Sequence, residues 1–285
     1  MKEHVSIATA RALMDEFTTL TGLSPTGELP PLRYLWTDAF AVCNFLGLSH
    51  HTHDKHYTRL ALRLVDQVHA VLGRHREDDP RSGWISGLDD LEGTLHPTKG
   101  GLRIGKELNE RSPDDPFNER AEWDRDGQYY HYLTKWMHAL NRVSRVTGDL
   151  KYNTWAIELA KTAHAGFTYV TSFGGPKRMY WKMSIELTYP LVASMGHHDP
   201  LDGFITFHQL QATAAKGSDK STVPDLNAEI ADLAAMCKGK SWATADPLGK
   251  ILIGLGFELL IGRDHETEGA EGRIAASLPN SDFTS

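Results

Sequence analysis

Cysteine is nearly absent from this chain of 285 residues: Cys43 and Cys237 are the only two, and both fall inside helical patterns. Two isolated thiols of this kind read as reduced and buried, which excludes a disulfide-stapled scaffold. No segment approaches about 18 consecutive apolar residues, and the first residues lack the apolar stretch of a signal peptide. The expectation is therefore a soluble, cytoplasmic protein. The net charge is −7 and the basic residues are scattered, not gathered in a stripe, which argues against a nucleic-acid partner. No Ser/Gly/Pro-rich linker divides the chain, so one domain is expected over 1–262, followed by a polar tail at 263–285. A Gly-x-Ser-x-Gly elbow, a His-Glu-x-x-His zinc helix and a run of alternating strand residues are all missing. The stretch Gly100–Lys106 resembles a phosphate cradle but lacks the Walker spacing and a preceding strand, leaving Arg103 and Lys106 to meet an anionic group.

What the chain does have is a repeat. Ser49, Thr52, Asp54 and Tyr57 recur as Ser144, Thr147, Asp149 and Tyr152, all displaced by 95 residues. The match extends outward to Ala61 and Ala156, Leu64 and Leu159, His69 and His164. Looser echoes at Asp199 and Asp246 give a period of about 48, with a degenerate slot between the first two copies. Apolar residues step by three or four on both sides of each copy, as in Leu133, Trp136, Leu140 and Val143 before the second. Thr147-Gly148-Asp149 between them holds a glycine to close one helix and an aspartate to cap the next. The unit is thus an antiparallel helical hairpin, and His53 takes the place of Gly148 in the first copy. The fold class expected is all-α, an array of such hairpins. Helices are predicted near 4–20, 36–48, 57–72, 101–109, 127–146, 150–167, 182–195, 200–214, 226–237 and 247–262. About six units fit the length, enough to close an (α/α) toroid, while the ten helices identified fall short of twelve and leave closed and incomplete forms both open. The repeat also places His50, His51, His53 and His56 on a hairpin joint, so no metal site is expected there.

Candidate chemistry lies where the copies stop agreeing. The segment 76–126 is rich in Gly, Pro, Asp and Arg, and a loop so long in a compact domain is usually functional or disordered. It ends in Glu122-Trp123-Asp124-Arg125-Asp126-Gly127-Gln128-Tyr129-Tyr130-His131, which combines carboxyls with aromatic faces. Asp124 and Asp126 could divide acid and base roles, while Trp123, Tyr129 and Tyr130 would line a pocket. Helix capping is the alternative for both aspartates. Trp36 and Asp38 open the equivalent helix of the first copy. Arg178 and Trp181 are expected to open another after Gly174-Gly175-Pro176, although Arg178, Lys182 and Glu186 at four-residue spacing also fit a solvated ion-pair face. His197 and His198 precede Pro200 at a loop tip.

The hairpins RYLWTDAFAVCNFL and GQYYHYLTKWMHALNRVSRVTGDLKYNTWAIELA resemble those of the six-hairpin glycosidase-like (α/α)6-toroid superfamily over about residues 30 to 262. That superfamily includes N-acylglucosamine 2-epimerase-like isomerases and unsaturated glucuronyl hydrolases. The resemblance implies an aromatic-lined sugar cleft at the inner-helix starts, with Asp38, Asp124, Asp126, Tyr130, His131, Arg178 and Trp181 facing it. Glycoside hydrolysis would then use Asp124 or Asp126 as proton donor, with aromatics stacking on the sugar and Arg103 or Arg178 on any sugar carboxylate. An epimerase would use His131 or His197 as base. A non-catalytic helical-repeat binding protein is the third reading. No cofactor is implied; the partner expected is a small carbohydrate, with a homodimer as one way to cover an incomplete toroid.

Overall fold

The structure, a computed structural model, describes residues 2–24, 29–172, 174–194, 196–216, 224–240 and 242, with side chains from residue 7 onward. The expectations for a helix at 247–262, a polar tail at 263–285 and a joint at Asp246 lie outside the described residues. Those described form helices α1 (Lys2–Leu20), α2 (Leu35–Thr52), α3 (Lys55–Leu72), α4 (Asp90–Leu95), α5 (Glu119–Asp124), α6 (Tyr130–Thr147), α7 (Lys151–Phe167), α8 (Asp199–Ala214) and α9 (Asn227–Cys237). Three antiparallel hairpins, α2/α3, α6/α7 and α8/α9, stand side by side. Their first helices, α2, α6 and α8, pack on one another as an inner layer, and α1 covers the free side of α2. Among the described residues the fold is an all-α array of antiparallel hairpins in an open row.

The repeat is the hairpin joint, reproduced almost bond for bond. Ser49 Oγ donates to the Asp54 carbonyl at 2.9 Å, and Ser144 Oγ to that of Asp149 at 3.0 Å. Thr52 and Thr147 each donate four residues back, to Leu48 and Val143, and accept from the backbone of Asp54 and Asp149. Asp54 Oδ1 then caps the next helix through His56 N at 2.8 Å, and Asp149 Oδ1 does so through Lys151 N at 3.0 Å. Gly148 closes α6 at φ 76°, and His53 closes α2 at φ 56°, the same left-handed position. Tyr57 and Tyr152 are both buried behind their joints. The local bonds satisfy donors and acceptors that a helix end would otherwise leave open.

Behind the joints the core is continuous. Val42, Phe45 and Leu46 of α2 share it with Leu133, Trp136 and Leu140 of α6, all nearly inaccessible to water. Buried polar contacts fix the pairing of helices. The Trp136 indole donates to His69 Nε2 at 3.1 Å, joining α6 to α3. Asn141 donates to Asn153 and Thr213, and Asn153 to the Leu210 carbonyl, joining α6, α7 and α8.

Two predicted helices are absent. Residues 101–109 run as extended loop because Gly101 and Gly105 have φ of 80° and 90°, and a Cβ at Gly105 would sit 2.2 Å from the Arg33 carbonyl oxygen. Residues 178–192 form short strands: β3 (Arg178–Met179) pairs with β2 (Thr168–Tyr169), and β4 (Lys182–Met183) lies between β1 (Gln128–Tyr129) and β5 (Pro190–Val192). Leu187 at positive φ and Pro190, which has no N–H, turn the chain between β4 and β5. Arg178, Lys182 and Glu186 therefore do not share a helical face. β1 also takes the first residues expected for α6, which starts at Tyr130. The third echo fails as a joint: Asp199 begins an inner helix, whereas Asp54 and Asp149 sit before outer ones.

The segment between α3 and β1 folds over the end of the row opposite the joints. Leu35 N donates to Ile104 O at 3.0 Å, Arg103 N to Leu72 O at 2.9 Å, and Ile104 N to Gly127 O at 2.9 Å. Leu102 and Ile104 are completely buried, so this loop is part of the core at that end.

Candidate functional site

The inner helices α2, α6 and α8 all start at this capped end. Trp36 lies against His131 and Tyr132, which places the first turns of α2 and α6 together. Thr134 and Lys135 reach Asp202, while Asn141 reaches Thr213 two turns further on, so α6 and α8 run parallel. The positive ends of three helix dipoles consequently face the same region.

Aromatic side chains from four segments meet there. Tyr34 and Trp36 come from the start of α2, and Tyr129, His131 and Tyr132 from the β1–α6 junction. Trp181 comes from the β3–β4 turn and Trp123 from the end of α5. Tyr34 and Tyr132 stand edge to face at 5.8 Å with their hydroxyls 2.7 Å apart. Tyr132 lies 5.2 Å from Tyr129, Tyr129 lies 5.3 Å from Trp181, and Trp181 lies 6.0 Å from Trp123. The His131 ring stacks on Trp181 at 6.0 Å, with planes 16° apart. Tyr129 is buried beneath the others; Tyr34, Trp36, His131, Tyr132 and Trp181 are half-buried, and Trp123 is 53% exposed. The result is a partly solvated aromatic surface with hydroxyl and indole edges, which suits a ligand having both apolar faces and hydroxyl groups. Lys106 Nζ lies 5.3 Å from the centre of the Tyr34 ring at one end of this surface.

The carboxyls differ sharply in setting. Asp38 is buried in the first turn of α2, where Oδ2 accepts from Tyr34 N at 3.0 Å and Oδ1 lies 3.5 Å from Arg33. Exclusion of water raises its pKa to about 7 despite the opposing pull of Arg33 and the Tyr34 N–H. Asp126 is completely buried: Oδ2 accepts from Arg103 at 2.5 Å and lies 3.5 Å from Arg76, while Oδ1 accepts from Gly105 N and Gly127 N at 3.0 Å. Both oxygens are thus committed to holding the loop. Arg103 is committed with it, donating also to the carbonyls of Val71 and Arg74. Asp124 is exposed at the end of α5, next to Trp123.

Of the remaining expected residues, Tyr130 is fully buried against Phe167 and belongs to the core. Burial raises its hydroxyl pKa well above the ordinary value. Arg178 is exposed on β3. The structure therefore brings Trp36, Trp123, Tyr129, His131 and Trp181 together, with Asp38 buried in the first turn of α2 and Asp124 following Trp123 in the chain. Asp126, Arg103 and Tyr130 it places inside the scaffold. Water exclusion lowers the His131 pKa to about 4, so its imidazole is neutral at ordinary pH.

Sequence reasoning missed the polar cluster where α6 meets α8. Asp202 accepts from Thr134 Oγ1 and, at 2.5 Å, from Lys135 Nζ. Asp199 is buried beside it, and its pKa rises to about 7 through lost hydration and then through the neighbouring Asp202 charge. Asp-Pro-Leu-Asp-Gly was legible as a helix start, with proline in the first turn and two acids near the N-terminus. The repeat period, followed too far, disguised it as a joint.

Lys182, also read as exposed, is fully buried under Tyr129. It donates to Glu122 Oε1 at 2.9 Å and to the carbonyls of Glu122 and Arg125 at 2.8 Å, and burial lowers its pKa. Arg111 completes the pairing from the other oxygen of Glu122 at 3.1 Å. This network ties α5 to β4 and so sets Trp123 against Trp181. Among the described residues no group of three or more His, Cys, Asp and Glu side chains is arranged to hold a metal ion. None of the described helices is long and apolar enough to cross a membrane.

Neither a known protein family nor a curated protein matches this sequence. Among solved structures, the chain is similar to an unsaturated glucuronyl hydrolase from Bacillus sp. GL1, responsible for the degradation of glycosaminoglycan. The identity is 12% and the TM-score 0.44, over 91% of this chain and 55% of the other. This chain spans about half the length of that structure.

Proposed function

We propose that the protein is a carbohydrate-active enzyme of the glycoside hydrolase type, with the sugar held on the aromatic surface at the starts of the inner helices. The observation that carries this reading is the convergence of aromatic rings from four segments at one helix end, with Asp38 buried in the first turn of α2 and Asp124 next to Trp123. Sugars present apolar C–H faces and a rim of hydroxyls, and flat rings with polar edges match both. Trp36 and Trp181 are the stacking faces in this reading. Asp38 is the proton-holding group, because a carboxyl with a pKa near 7 retains a proton for a leaving glycosidic oxygen in neutral solution. Asp124, exposed at the rim, is the second carboxyl of the pair that glycoside hydrolysis requires. Epimerisation is the weaker reading. Among the described residues His131 is the one histidine whose ring packs into this surface, and the His197 and His198 rings lie against Trp242 instead.

The test is turnover of a glycan panel by the native protein and by Asp38→Asn and Asp124→Asn. Loss of one acid–base group should lower kcat by about 10²–10⁴-fold with an unchanged circular dichroism spectrum. Native-like turnover in both variants would refute the hydrolytic assignment. A non-catalytic binding surface is the second reading, favoured by the internal bonds that occupy Asp38. It predicts sugar binding that is lost in Trp181→Ala, and no turnover by the native protein.

A further inference from the structure

Where α6 meets α8 the interior holds two acids against one ammonium. Asp199 and Asp202 lie in the first turn of α8, only 4% and 7% exposed. Asp202 is fully engaged: Oδ1 accepts from Lys135 Nζ at 2.5 Å and Oδ2 from Thr134 Oγ1. Asp199 accepts from the Gly196 N–H, but its Oδ2 has no hydrogen-bond partner among the described residues. The Tyr130 hydroxyl at the start of α6 has none either, although the side chain is completely buried. That hydroxyl is aimed at the acids. A Cβ at Gly203, the residue after Asp202, would lie 2.2 Å from it, and a Cβ at Gly196 would lie 2.2 Å from Asp199 Oδ2. Burial and then the charges of Asp202 and Asp199 raise the Tyr130 pKa, so the phenol is within electrostatic reach of both carboxyls. The other neighbours supply no positive charge. His131 and His138 on α6 are neutral at ordinary pH, and burial pushes the Cys237 thiol on α9 up to about 12. His198 turns its ring to Trp242, and Phe167 of α7 packs its ring against Tyr130. With both acids ionised, one buried negative charge is therefore in excess, beside two buried oxygens that have lost water without gaining a partner.

We infer that Asp199 Oδ2 and the Tyr130 hydroxyl oxygen are ligands of a buried site for a monovalent cation such as potassium or sodium. Both are hard oxygen donors, which suit an alkali-metal ion and not a thiophilic metal. Lys135 already neutralises one of the two acids, so a single positive charge balances the cluster and a divalent ion would leave an excess. An ion held by Tyr130 on one side and Asp199 on the other clamps α6 to α8 at the end where the aromatic rings gather. A proton on Asp199 competes with the ion, so the site fills as pH rises above about 7 and empties as pH falls. The site is independent of the carbohydrate reading.

Thermal unfolding of the full chain at constant ionic strength tests this, in potassium, sodium, magnesium or choline chloride. At pH 8 potassium or sodium should raise Tm by about 2–4 °C over choline. The gain should shrink at pH 5.5, where a proton occupies Asp199. Asp199→Asn and Tyr130→Phe keep the shape of the buried side chains, and each should remove most of the gain. Circular dichroism in choline shows whether each variant folds; either one suffices, and the comparison of the two pH values needs the native chain alone. Equal Tm values in potassium, sodium and choline would overturn the inference, because the stabilisation would then be of ionic strength only. A gain that persists at pH 5.5, one that survives the substitutions, or one given by magnesium and not by potassium or sodium would overturn it as well.

Discussion

Asp38 and Asp199 hold carboxyls from which water is largely excluded, and each has a folded-state pKa of about 7 in place of 3.8. The folded protein therefore binds more protons than the unfolded chain between those values, and stability from these groups falls as pH rises from about 4 to 7. His69, His131 and His138 act in the opposite sense. Burial lowers their pKa values to about 3, 4 and 4, so their contribution is complete above the unfolded value of 6.5 and is lost as pH falls through that window. Urea denaturation at pH 5 and pH 8 separates the two. Asp199→Asn should remain folded and show a smaller decline, or a larger rise, in stability from pH 5 to 8 than the native protein. An unchanged pH dependence would contradict the burial argument. His53 offers a second test, because it pairs with Gly148 in the repeat and the two share the left-handed conformation. His53→Gly should stabilise by up to about 1 kcal/mol and Gly148→Ala should destabilise by about as much. Position 53 shows how far single residues could be read in advance: a residue aligned with a turn glycine had to accept positive φ, whatever its side chain.

At the scale of elements, the joints were legible because their chemistry is local. Serine, threonine and aspartate bond to backbone within five residues, so spacing alone determines the geometry. Ser144→Ala should cost about 1 kcal/mol by leaving the Asp149 carbonyl without its donor. The strands β3 to β5 were not legible: each is only two or three residues long, and β4 is held by β1 and α5, which are distant in sequence. Gln128 pairs with Met183, and Lys182 is held by Glu122, some sixty residues away. Charged residues at four-residue spacing imitated a helix, while the actual determinants were a turn at Leu187 and a proline at 190. Asp126 illustrates the same limit. Its loop position beside Asp124 pointed to chemistry, but the distant Arg103 and the two glycine N–H groups give it an anchoring role. Asp126→Ala should lose about 3–5 kcal/mol by stranding Arg103 in the interior. It should also expose residues 76–126 to limited proteolysis. Full stability and protease resistance in that variant would return Asp126 to the list of groups available for substrate.

For the molecule as a whole, the repeat separates two ends with different duties. At one end the chain reuses the same bonds to turn from inner to outer helix. At the other, where inner helices begin, each copy differs, and the long connection between the first two hairpins folds into the gap. The end of the array where aromatic rings gather was legible in that disagreement between copies, and so were Trp36, Trp123, Tyr129, His131 and Trp181 among those rings. Which carboxyls are buried and paired depended on contacts between distant segments, which no local pattern encodes. The central claim is that this end binds carbohydrate on its aromatic surface. Saturation-transfer NMR on a mixed oligosaccharide panel, comparing the native protein with Trp181→Ala, tests it most directly. Transfer to the C–H faces of at least one sugar, abolished in the variant, is the predicted result. No transfer to any sugar from the native protein, or transfer undiminished by Trp181→Ala, would contradict it.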